Sequence, residues 1–453
     1  MKELQELLEK YNRPVPRYTS YPTVPYWQPF DDATRWQQLA REKYYKSKDK
    51  GISVYIHLPF CESLCTYCGC NKRITTNHNV EEEYINAVLK EWQLYVDLIG
   101  EKPVIRELHL GGGTPTFFTP ANLEMLLTGL FDKAVIHPQK EFGFEGHPNN
   151  TTLQHLETLN RLGFTRVSYG VQDNDPVVQR AINRLQPFEN VRRATENARD
   201  AGYTSVNFDL IYGLPFQTLE GQKNTFKQVI SLAPDRIAFY SYAHVPWKQK
   251  AQRLFDETNL PSPAEKMQLY MQGKNMLAKA GYSDIGMDHF ALPHDDLYKA
   301  WINNTLHRNF MGYTTTHTNY LLGLGVSAIS DIGVAYAQNH KELENYYRGL
   351  QRDKLEYSKG YFLSKKDEAI KKYILDIACR NATLVRPQDR ALLGDYTMEE
   401  LNSLQDDGLV NVDWPLLEVT KTGRQFIRNI CYAFDSYRQP SGPQNATMFS
   451  KAI

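Results

Sequence analysis

Four of the six cysteines lie within ten residues of this sequence, in the segment CESLCTYCGC at 61–70. Cys61, Cys65 and Cys68 follow one another at intervals of four and three residues. Thiolates at this spacing can bind three corners of a cubane [4Fe-4S] cluster and leave one iron without a protein ligand. A structural zinc site usually takes two separated ligand pairs, and no second pair follows. The spacing therefore predicts an iron–sulfur cluster with one open iron rather than zinc.

A glycine run, GGGTPT at 111–116, follows a predicted strand at 107–110. Because glycine has no Cβ atom, its backbone can approach a ligand closely or take a positive φ. A tight turn alone would also explain the run, which matches neither the Walker loop nor the dinucleotide fingerprint. We interpret it as part of the site because it ends the strand next to the cysteine strand.

Polar residues recur towards the ends of the later predicted strands. They are Glu145, Gln172, Asp209 and the turn Ala243-His244, with Arg184 in the helix expected after Gln172. Each alone could be an ordinary surface residue. Together they could bind ribose hydroxyls, an ammonium and a carboxylate, which are the groups of an amino-acid nucleoside.

The elements that must position these residues form a repeated strand–helix pattern. Strands are predicted at 52–58, 104–110, 141–145, 166–172, 205–212 and 237–243, with a candidate seventh at 283–287. Helices are predicted between them, for example along the apolar face of 85–99 and after the capping box at 262–265. Repeated β–α units indicate a parallel sheet, closed wholly or partly as a (β/α)6-type barrel. An open doubly wound sheet is the alternative.

Three segments are predicted. Residues 1–50 are a lead-in that contributes to the active site, 51–360 the barrel, and 361–453 a small helix-rich, winged-helix-like domain. In the last, helices are expected at 365–380, 398–407 and 421–435, two short strands at 408–420, and a loose tail from 439.

The bulk composition is that of an ordinary globular protein, with 42% hydrophobic and 23% charged residues among 453. Basic and acidic residues both number 52, which argues against a nucleic-acid partner held by net charge. No apolar run suits a membrane span, and the first ten residues lack a signal-peptide core. We therefore expect a cytoplasmic protein, in which clustered cysteines indicate a metal rather than disulfides.

These motifs resemble those of the radical S-adenosylmethionine (SAM) superfamily, and more closely the oxygen-independent coproporphyrinogen III oxidase (coproporphyrinogen dehydrogenase) family. The resemblance covers almost the whole chain. The segments that carry it are PRYTSYPT at 16–23, YIHLPFC at 55–61, CGCNK at 68–72, GVQD at 170–173, DLIYGLP at 209–215, YAH at 242–244, GMDHFA at 286–291, HRNF at 307–310, GVSAIS at 325–330 and RNIC at 428–431.

The resemblance implies a [4Fe-4S] cluster on Cys61, Cys65 and Cys68 and two SAM molecules, one of them bound to the open iron. The first molecule would be lined by Tyr55, Gly112, Glu145 and Ile329. The second would be lined by Tyr67, Gly113, Thr114, Gln172, Arg184, Asp209 and Ala243. Tyr55 and Cys70 are the implied catalytic residues, and Cys70 would be needed for activity without binding iron.

The implied reaction is the anaerobic oxidative decarboxylation of two propionates of coproporphyrinogen III, which gives the vinyl groups of protoporphyrinogen IX in haem biosynthesis. A 5′-deoxyadenosyl radical would start it, with a reduced flavodoxin- or ferredoxin-type protein as electron donor. Because the substrate carries four carboxylates, Arg17, His289 and Arg308 are candidate anchors. We expect a monomer. A haem-trafficking protein and a haem-ring-opening radical methyltransferase on the same scaffold are the alternatives.

Overall fold

The computed structural model describes residues 2–438, with side chains from Glu6 onward. The tail predicted from residue 439 lies outside this range. Between residues 2 and 438, no helix combines the length and apolarity that crossing a membrane requires.

The helices differ widely in length, and the longest, α3, carries the apolar face predicted at 85–99. In chain order they are α1 (Lys2–Tyr11), α2 (Ala33–Ser47), α3 (Val80–Ile99), α4 (Pro120–Phe131), α5 (Leu153–Arg161), α6 (Pro176–Ala181), α7 (Phe188–Asp200), α8 (Leu219–Ser231), α9 (Pro263–Lys279), α10 (Asp296–Ile302), α11 (Leu343–Gln351), α12 (Lys365–Arg380), α13 (Gly394–Asp406) and α14 (Ile427–Ala433). The capping box predicted at Ser262 begins α9.

Most strands belong to one large sheet. In chain order the strands are β1 (Gln28–Pro29), β2 (Ile52–Leu58), β3 (Phe60–Cys61), β4 (Arg73–Ile74), β5 (Val104–Gly112), β6 (Val135–Gly146), β7 (Arg166–Gln172), β8 (Ser205–Tyr212), β9 (Arg236–Ser241), β10 (Ser283–Gly286), β11 (His289–Ala291), β12 (His307–Asn309), β13 (Gly312–Thr314), β14 (Leu321–Leu324), β15 (Ile329–Asp331), β16 (Ala335–Asn339), β17 (Tyr357–Phe362), β18 (Ala382–Leu384), β19 (Val410–Asp413) and β20 (Leu416–Val419).

The middle of the large sheet is parallel. Its order is β14-β2-β5-β6-β7-β8-β9, and antiparallel strands extend it at both sides. From β2 to β9 the strand order follows the chain without the reversal that defines a doubly wound sheet. Helices α3, α4, α5 and α7 also contact one another in series, as in one outer layer. These features match the partial-barrel prediction rather than its doubly wound alternative.

The seventh parallel strand is not the predicted one. Residues 283–286 do form a strand, β10, but it pairs antiparallel with β11 at the outer edge. The seventh parallel strand is β14, which pairs with β2 on the other side of the sheet. The β10–β11 segment turns back within a few residues, so no crossover helix could return the chain in the parallel direction.

Successive side chains of β2 point alternately into the apolar core and towards the inside of the barrel. Val54, Ile56 and Leu58 are buried in the main apolar cluster with Trp92 of α3. Their neighbours point to the opposite face, as strand geometry requires. These are polar, and they form the lining of the barrel: Ser53, Tyr55 and His57.

A second apolar cluster joins the two ends of the chain. Tyr11, Tyr18 and Tyr21 lie in it with Ile374 of α12 and Cys431 of α14. Strand β1, by contrast, pairs with β17 at the edge of the large sheet. The lead-in therefore contacts both halves of the molecule, and the boundaries predicted at 50 and 360 stay predictions.

The C-terminal segment has the helices and strands of a winged helix. Helix α12 ends where β18 begins, and α13 precedes the antiparallel pair β19–β20. Helix α12 has its predicted bounds, whereas the closing helix is shorter than predicted: residues 423–426 are a 3-10 turn and α14 spans only Ile427–Ala433. Strand β18 was not predicted because it has only three residues.

Candidate active site

The cysteine loop is closed at its base and anchored to the barrel. Cys61 ends β3, which pairs with β4 just after the loop. The Thr66 amide donates to the Ile182 carbonyl (3.0 Å), and the Asn183 amide group donates to the Leu64 carbonyl (2.8 Å). The end of α6 thus fixes the loop against the carboxyl ends of the parallel strands, where barrel enzymes carry their chemistry.

The glycine run lies directly beside this loop. The Gly113 amide donates to the Leu58 carbonyl (2.8 Å), and a Cβ atom on Gly113 would lie 2.6 Å from the Pro59 carbonyl oxygen. Gly112 has a φ of +116°. The Thr114 hydroxyl is 3.3 Å from the Cys61 sulfur. The run therefore brings the ends of β2 and β5 closer together than residues with side chains would allow.

Two adjoining cavities meet at the cysteine loop. One, of about 730 Å³, is lined by Tyr55, Cys70, Glu145 and Ile329 among others. The other, of about 450 Å³, contains most of the remaining predicted cofactor residues: Cys61, Cys65, Tyr67, Cys68, Gly112, Gly113, Thr114, Gln172, Arg184 and Asp209. We call them the large and the small cavity. Cys70, Lys72 and Glu145 line both.

Glu145 is the polar centre of the boundary between the cavities. Its carboxylate accepts from the Gly112 amide (3.2 Å) and lies 3.4 Å from His109 Nε2. Burial opposes ionisation, but the His109 and Gly112 hydrogen bonds outweigh it, so the pKa of Glu145 lies below its usual value. The Tyr55 ring stacks on His109, and its hydroxyl donates to His57 Nδ1 (3.2 Å). An ionised carboxylate held in this way can accept from a ligand hydroxyl or ammonium.

Arg184 reaches the small cavity from a loop, not from a helix as predicted. It follows α6, and its guanidinium donates to the Gly170 carbonyl (2.6 Å) while Nη1 lies 3.7 Å from the Cys65 sulfur. Its buried Nε has no hydrogen-bond partner among the described residues. A Cβ atom on Gly170 would lie 3.0 Å from the guanidinium, so the glycine makes room for it.

Gln172 occupies a strained turn at the end of β7. Its φ is +65°, and the pairing of β7 with β8 shifts register between Gly170 and Gln172. Such a bulge re-aims a side chain at the end of a strand. Asp173 next to it is buried and accepts from Gln217 and Thr225 (2.6 and 2.7 Å). This buried network stabilises the turn that places Gln172 on the cavity.

Asp209 lies within β8 rather than at its end, yet its side chain lines the small cavity. The carboxylate accepts from Asn207 (2.9 Å) and Ser168 (3.2 Å). Burial, with a contribution from the charge of Glu145, raises the pKa of Asp209 to about 7. A cationic ligand group would favour its ionised form.

The remaining predicted residues are not among those that line the large or the small cavity. Ala243 follows β9 and its carbonyl accepts from Gln252 (3.2 Å), but it lines neither cavity. Arg17 lies over Tyr240, whose hydroxyl is 3.4 Å from His289 Nε2. Arg308 lies behind them, donates to the Arg17 carbonyl (3.4 Å), and lines a separate cavity of about 350 Å³ next to α12.

The cysteine loop fits a cubane cluster by its donor set. Among residues 2–438 no three histidine, cysteine or acidic side chains already converge on a point that would hold a single metal ion. A cubane needs no such convergence, because each thiolate binds a different iron. Before metal binding, burial raises the pKa of Cys61 to about 11, whereas the Cys70 hydrogen bond lowers that of Cys68 to about 6. Iron would deprotonate all three thiols.

A nucleoside cofactor also fits the small cavity. The guanidinium of Arg184 and the carboxylate of Asp209 line it and can take the carboxylate and ammonium of an amino acid. The glycine run offers backbone that a ligand can approach closely.

Three residues of the site were not singled out from the sequence: His57, His109 and Tyr240. His57 and His109 are two residues after Tyr55 and Glu107 in their strands, so alternation could have placed them on the inner face once the strand direction was known. Tyr240 had no comparable signal, because the three residues before it, Ile237, Ala238 and Phe239, are apolar on both faces of the strand.

Comparisons with known proteins agree with this geometry. The Radical SAM superfamily model matches residues 55–229. An oxygen-independent coproporphyrinogen III oxidase from Salmonella typhimurium is 40% identical over 99% of this chain and 98% of its own length. A relative of the same name from Synechocystis is 38% identical over 99% and 97%.

Solved structures agree as well. The coproporphyrinogen III oxidase of Escherichia coli, described as a radical SAM enzyme, superposes with a TM-score of 0.88 at 39% identity, covering 96% of this chain and 99% of that one. Relatives of one name thus match nearly the whole chain, including the lead-in and the C-terminal segment. The chain therefore belongs to the oxygen-independent coproporphyrinogen III oxidase family of the radical SAM superfamily.

Proposed function

We propose that this protein converts coproporphyrinogen III to protoporphyrinogen IX without oxygen. Two propionates would each lose carbon dioxide and a hydrogen atom to become vinyl groups, with electrons passed to an acceptor. The observation that carries the proposal is the three-cysteine loop set against the glycine run and Glu145 at the carboxyl ends of β2, β5 and β6. The full-length match to relatives named for this activity supports it over haem trafficking and ring-opening methylation.

We assign Cys61, Cys65 and Cys68 to a [4Fe-4S] cluster, which together with SAM supplies the 5′-deoxyadenosyl radical. Tyr55, Gly112, Glu145 and Ile329 would hold the SAM molecule next to the cluster. Tyr67, Gly113, Thr114, Gln172, Arg184, Asp209 and Ala243 would hold a second one. The presence of two cavities that share one wall supports this assignment; Gly112 lines the small cavity rather than the large one, and Ala243 lines neither.

The residues of the chain would bind and orient the cofactor and the substrate, and they would exclude water from the site. Glu145, ionised and held by two hydrogen bonds, would accept from a cofactor hydroxyl or ammonium. Tyr55 would stabilise the wall of the large cavity by its hydrogen bond to His57 and its stacking on His109. No side chain has to act as a general base, since a hydrogen atom and not a proton leaves the propionate.

The substrate would be anchored by the cations Arg17 and Arg308 and the neutral His289, which lie next to Tyr240 of the small cavity. Arg17 and His289 lie on either side of Tyr240, and Arg308 supports them from behind. Asp288, 3.7 Å from Arg17, is the acidic partner of this group. Two arginines beside a single ionised carboxylate favour a substrate with several carboxylates. The lead-in would be part of the site because it contributes Arg17.

The electron donor would be a reduced flavodoxin- or ferredoxin-type protein.

Product analysis tests the function directly. The reconstituted protein, supplied anaerobically with coproporphyrinogen III, SAM and a reductant, is expected to form protoporphyrinogen IX and two carbon dioxide molecules per substrate. Chromatography after oxidation to porphyrins measures it. Consumption of SAM with the substrate left intact would contradict the proposal.

Cys70 is expected to serve the reaction without binding iron. It lines both cavities, two residues beyond the last predicted ligand. Cys70→Ser should therefore keep four irons and the reductive cleavage of SAM, while vinyl formation falls by at least about tenfold, the scale of one lost contact. Iron content, 5′-deoxyadenosine and porphyrin are measured on the same preparation. Loss of iron from this variant would show that Cys70 is a ligand instead.

A further inference from the structure

We infer that Tyr240 contacts the substrate and that its hydroxyl donates to a propionate carboxylate held by Arg17. This inference rests on the proposed function and adds a residue that the sequence motifs do not mark. It concerns how the site distinguishes a propionate from the vinyl group that replaces it.

Tyr240 lies between the cofactor residues of the small cavity and the guanidinium of Arg17. It lies next to the last residue of β9, and it lines the cavity together with Asp209 and Arg184. The guanidinium of Arg17 is 5.5 Å from the centre of its ring. A ligand that extends from the cofactor residues towards Arg17 must pass the phenol.

The hydroxyl of Tyr240 has a donor hydrogen that is only weakly used. His289 Nδ1 lies 2.8 Å from the Met287 carbonyl, which can only accept, so Nδ1 carries the hydrogen of the neutral ring. Burial and the nearby charge of Arg308 lower the pKa of His289 to about 3, which keeps the ring neutral. Nε2 therefore accepts from Tyr240 at 3.4 Å, near the limit of a hydrogen bond.

A carboxylate would be a better acceptor than this distant imidazole. Burial raises the pKa of Tyr240, so its hydroxyl keeps the hydrogen at neutral pH. Hydrogen bonds to ionised acceptors are shorter and about twice as strong as neutral ones. A rotation of the O–H bond would move the hydrogen from His289 to a carboxylate oxygen while Arg17 pairs with the other oxygen.

The charges around Tyr240 leave a place for such an anion. Arg17 and Arg308 face it from the lead-in and β12, and Arg428 of α14 lies behind the lead-in, donating to the Pro16 carbonyl (3.3 Å). Asp288 and Asp209 are the acids on either side, and Asp209 has a raised pKa. A substrate carboxylate at the Tyr240 hydroxyl would add a negative charge next to Arg17 and Arg308. A vinyl group could neither accept the hydrogen bond nor pair with Arg17, so decarboxylation would end the contact.

Tyr240→Phe tests the inference because it removes only the hydroxyl. The KM for coproporphyrinogen III is expected to rise about tenfold, the lower end for losing a hydrogen bond to a charged group, with kcat changed less than about threefold. The affinity for SAM, the iron content and the cluster's EPR signal should stay at wild-type values. Tyr203→Phe is the matched control, since its buried hydroxyl donates to the Leu156 carbonyl (3.1 Å) in the outer layer.

The outcomes separate the inference from the proposed function. A wild-type protein that makes no product contradicts the function, and equilibrium dialysis of coproporphyrinogen III against wild type and Tyr240→Phe then still tests the contact. Equal porphyrinogen affinity in the two proteins would overturn the inference. Weaker SAM binding with an unchanged KM for porphyrinogen would also overturn it, because the phenol would then serve the cofactor.

Discussion

Replacing Cys61, Cys65 or Cys68 by serine is expected to remove the cluster and take product formation below detection. Each thiolate would bind a separate iron, and a serine hydroxyl keeps its proton at neutral pH and is a poor ligand for iron. Wild-type protein reconstituted anaerobically should contain about four irons and four sulfides per chain. Its reduced EPR signal should change when SAM is added, and the serine variants should show neither signal nor 5′-deoxyadenosine.

Cys379 provides the control for this experiment. Its thiol is buried in the second apolar cluster with Ile374, far along the chain from the loop. Cys379→Ala should keep the wild-type iron and sulfide content, at a modest cost in stability from the lost side-chain volume. Stoichiometric zinc without sulfide in anaerobically purified wild-type protein would refute the cluster assignment.

The barrel could be predicted from the sequence because its elements follow local rules. The six strands from 52 to 243 lie within a few residues of their predicted bounds, apart from β6, which begins six residues before the predicted 141. Their apolar runs are buried against helices whose spacing is equally regular. The candidate site followed from the same regularity, since parallel strands bring their carboxyl ends to one edge. The cysteine loop and the glycine run are adjacent for that reason.

The misplaced features depend on contacts between distant segments. Strand β14 has four residues and pairs with β2, some 270 positions earlier, so its own sequence carries no sign of that partner. The 283–286 segment has the local sequence of a parallel strand, but it pairs antiparallel with β11 directly after it. Asp209 was expected near a strand end, but β8 has its predicted bounds and continues for three residues beyond it, so the side chain reaches the cavity from within the strand. The side chains around Tyr240 (Arg17, His289 and Arg308) come from the lead-in, β11 and β12, and only the folded chain brings them together.

Removing the Arg184 side chain is the second prediction with a large expected effect. The guanidinium is fixed by the Gly170 carbonyl, and the side chain lines the small cavity. If it pairs with the carboxylate of a second SAM molecule, Arg184→Ala should weaken that binding event by about 10–150-fold, the equivalent of 1.5–3 kcal/mol. The binding event at the cluster and the cluster spectrum should not change. Equilibrium dialysis on the reconstituted protein resolves the two events.

Asp209 should make the affinity for the second SAM molecule depend on pH. Its pKa of about 7 means that the carboxyl is largely protonated at pH 6 and must lose that proton to pair with an ammonium. The affinity of the second event should therefore fall by up to about tenfold for each pH unit below 7, and rise to a plateau above it. Glu145 and Arg184 face the same cavity, but Glu145 has a lowered pKa and the guanidinium stays charged throughout.

Asp209→Asn isolates this effect, since it keeps the size of the side chain and removes the titration. The variant should bind the second molecule weakly at every pH from 6 to 8, with no slope, while the first event stays as in wild type. Lys223→Gln, on the exposed side of α8, is the charge-change control and should keep the wild-type slope. A saturating stoichiometry of one SAM per wild-type chain would refute the second site. If two SAM molecules bind but neither affinity varies with pH, Asp209 does not contact the second molecule. Arg184 would then remain as the residue that pairs with the carboxylate of that molecule.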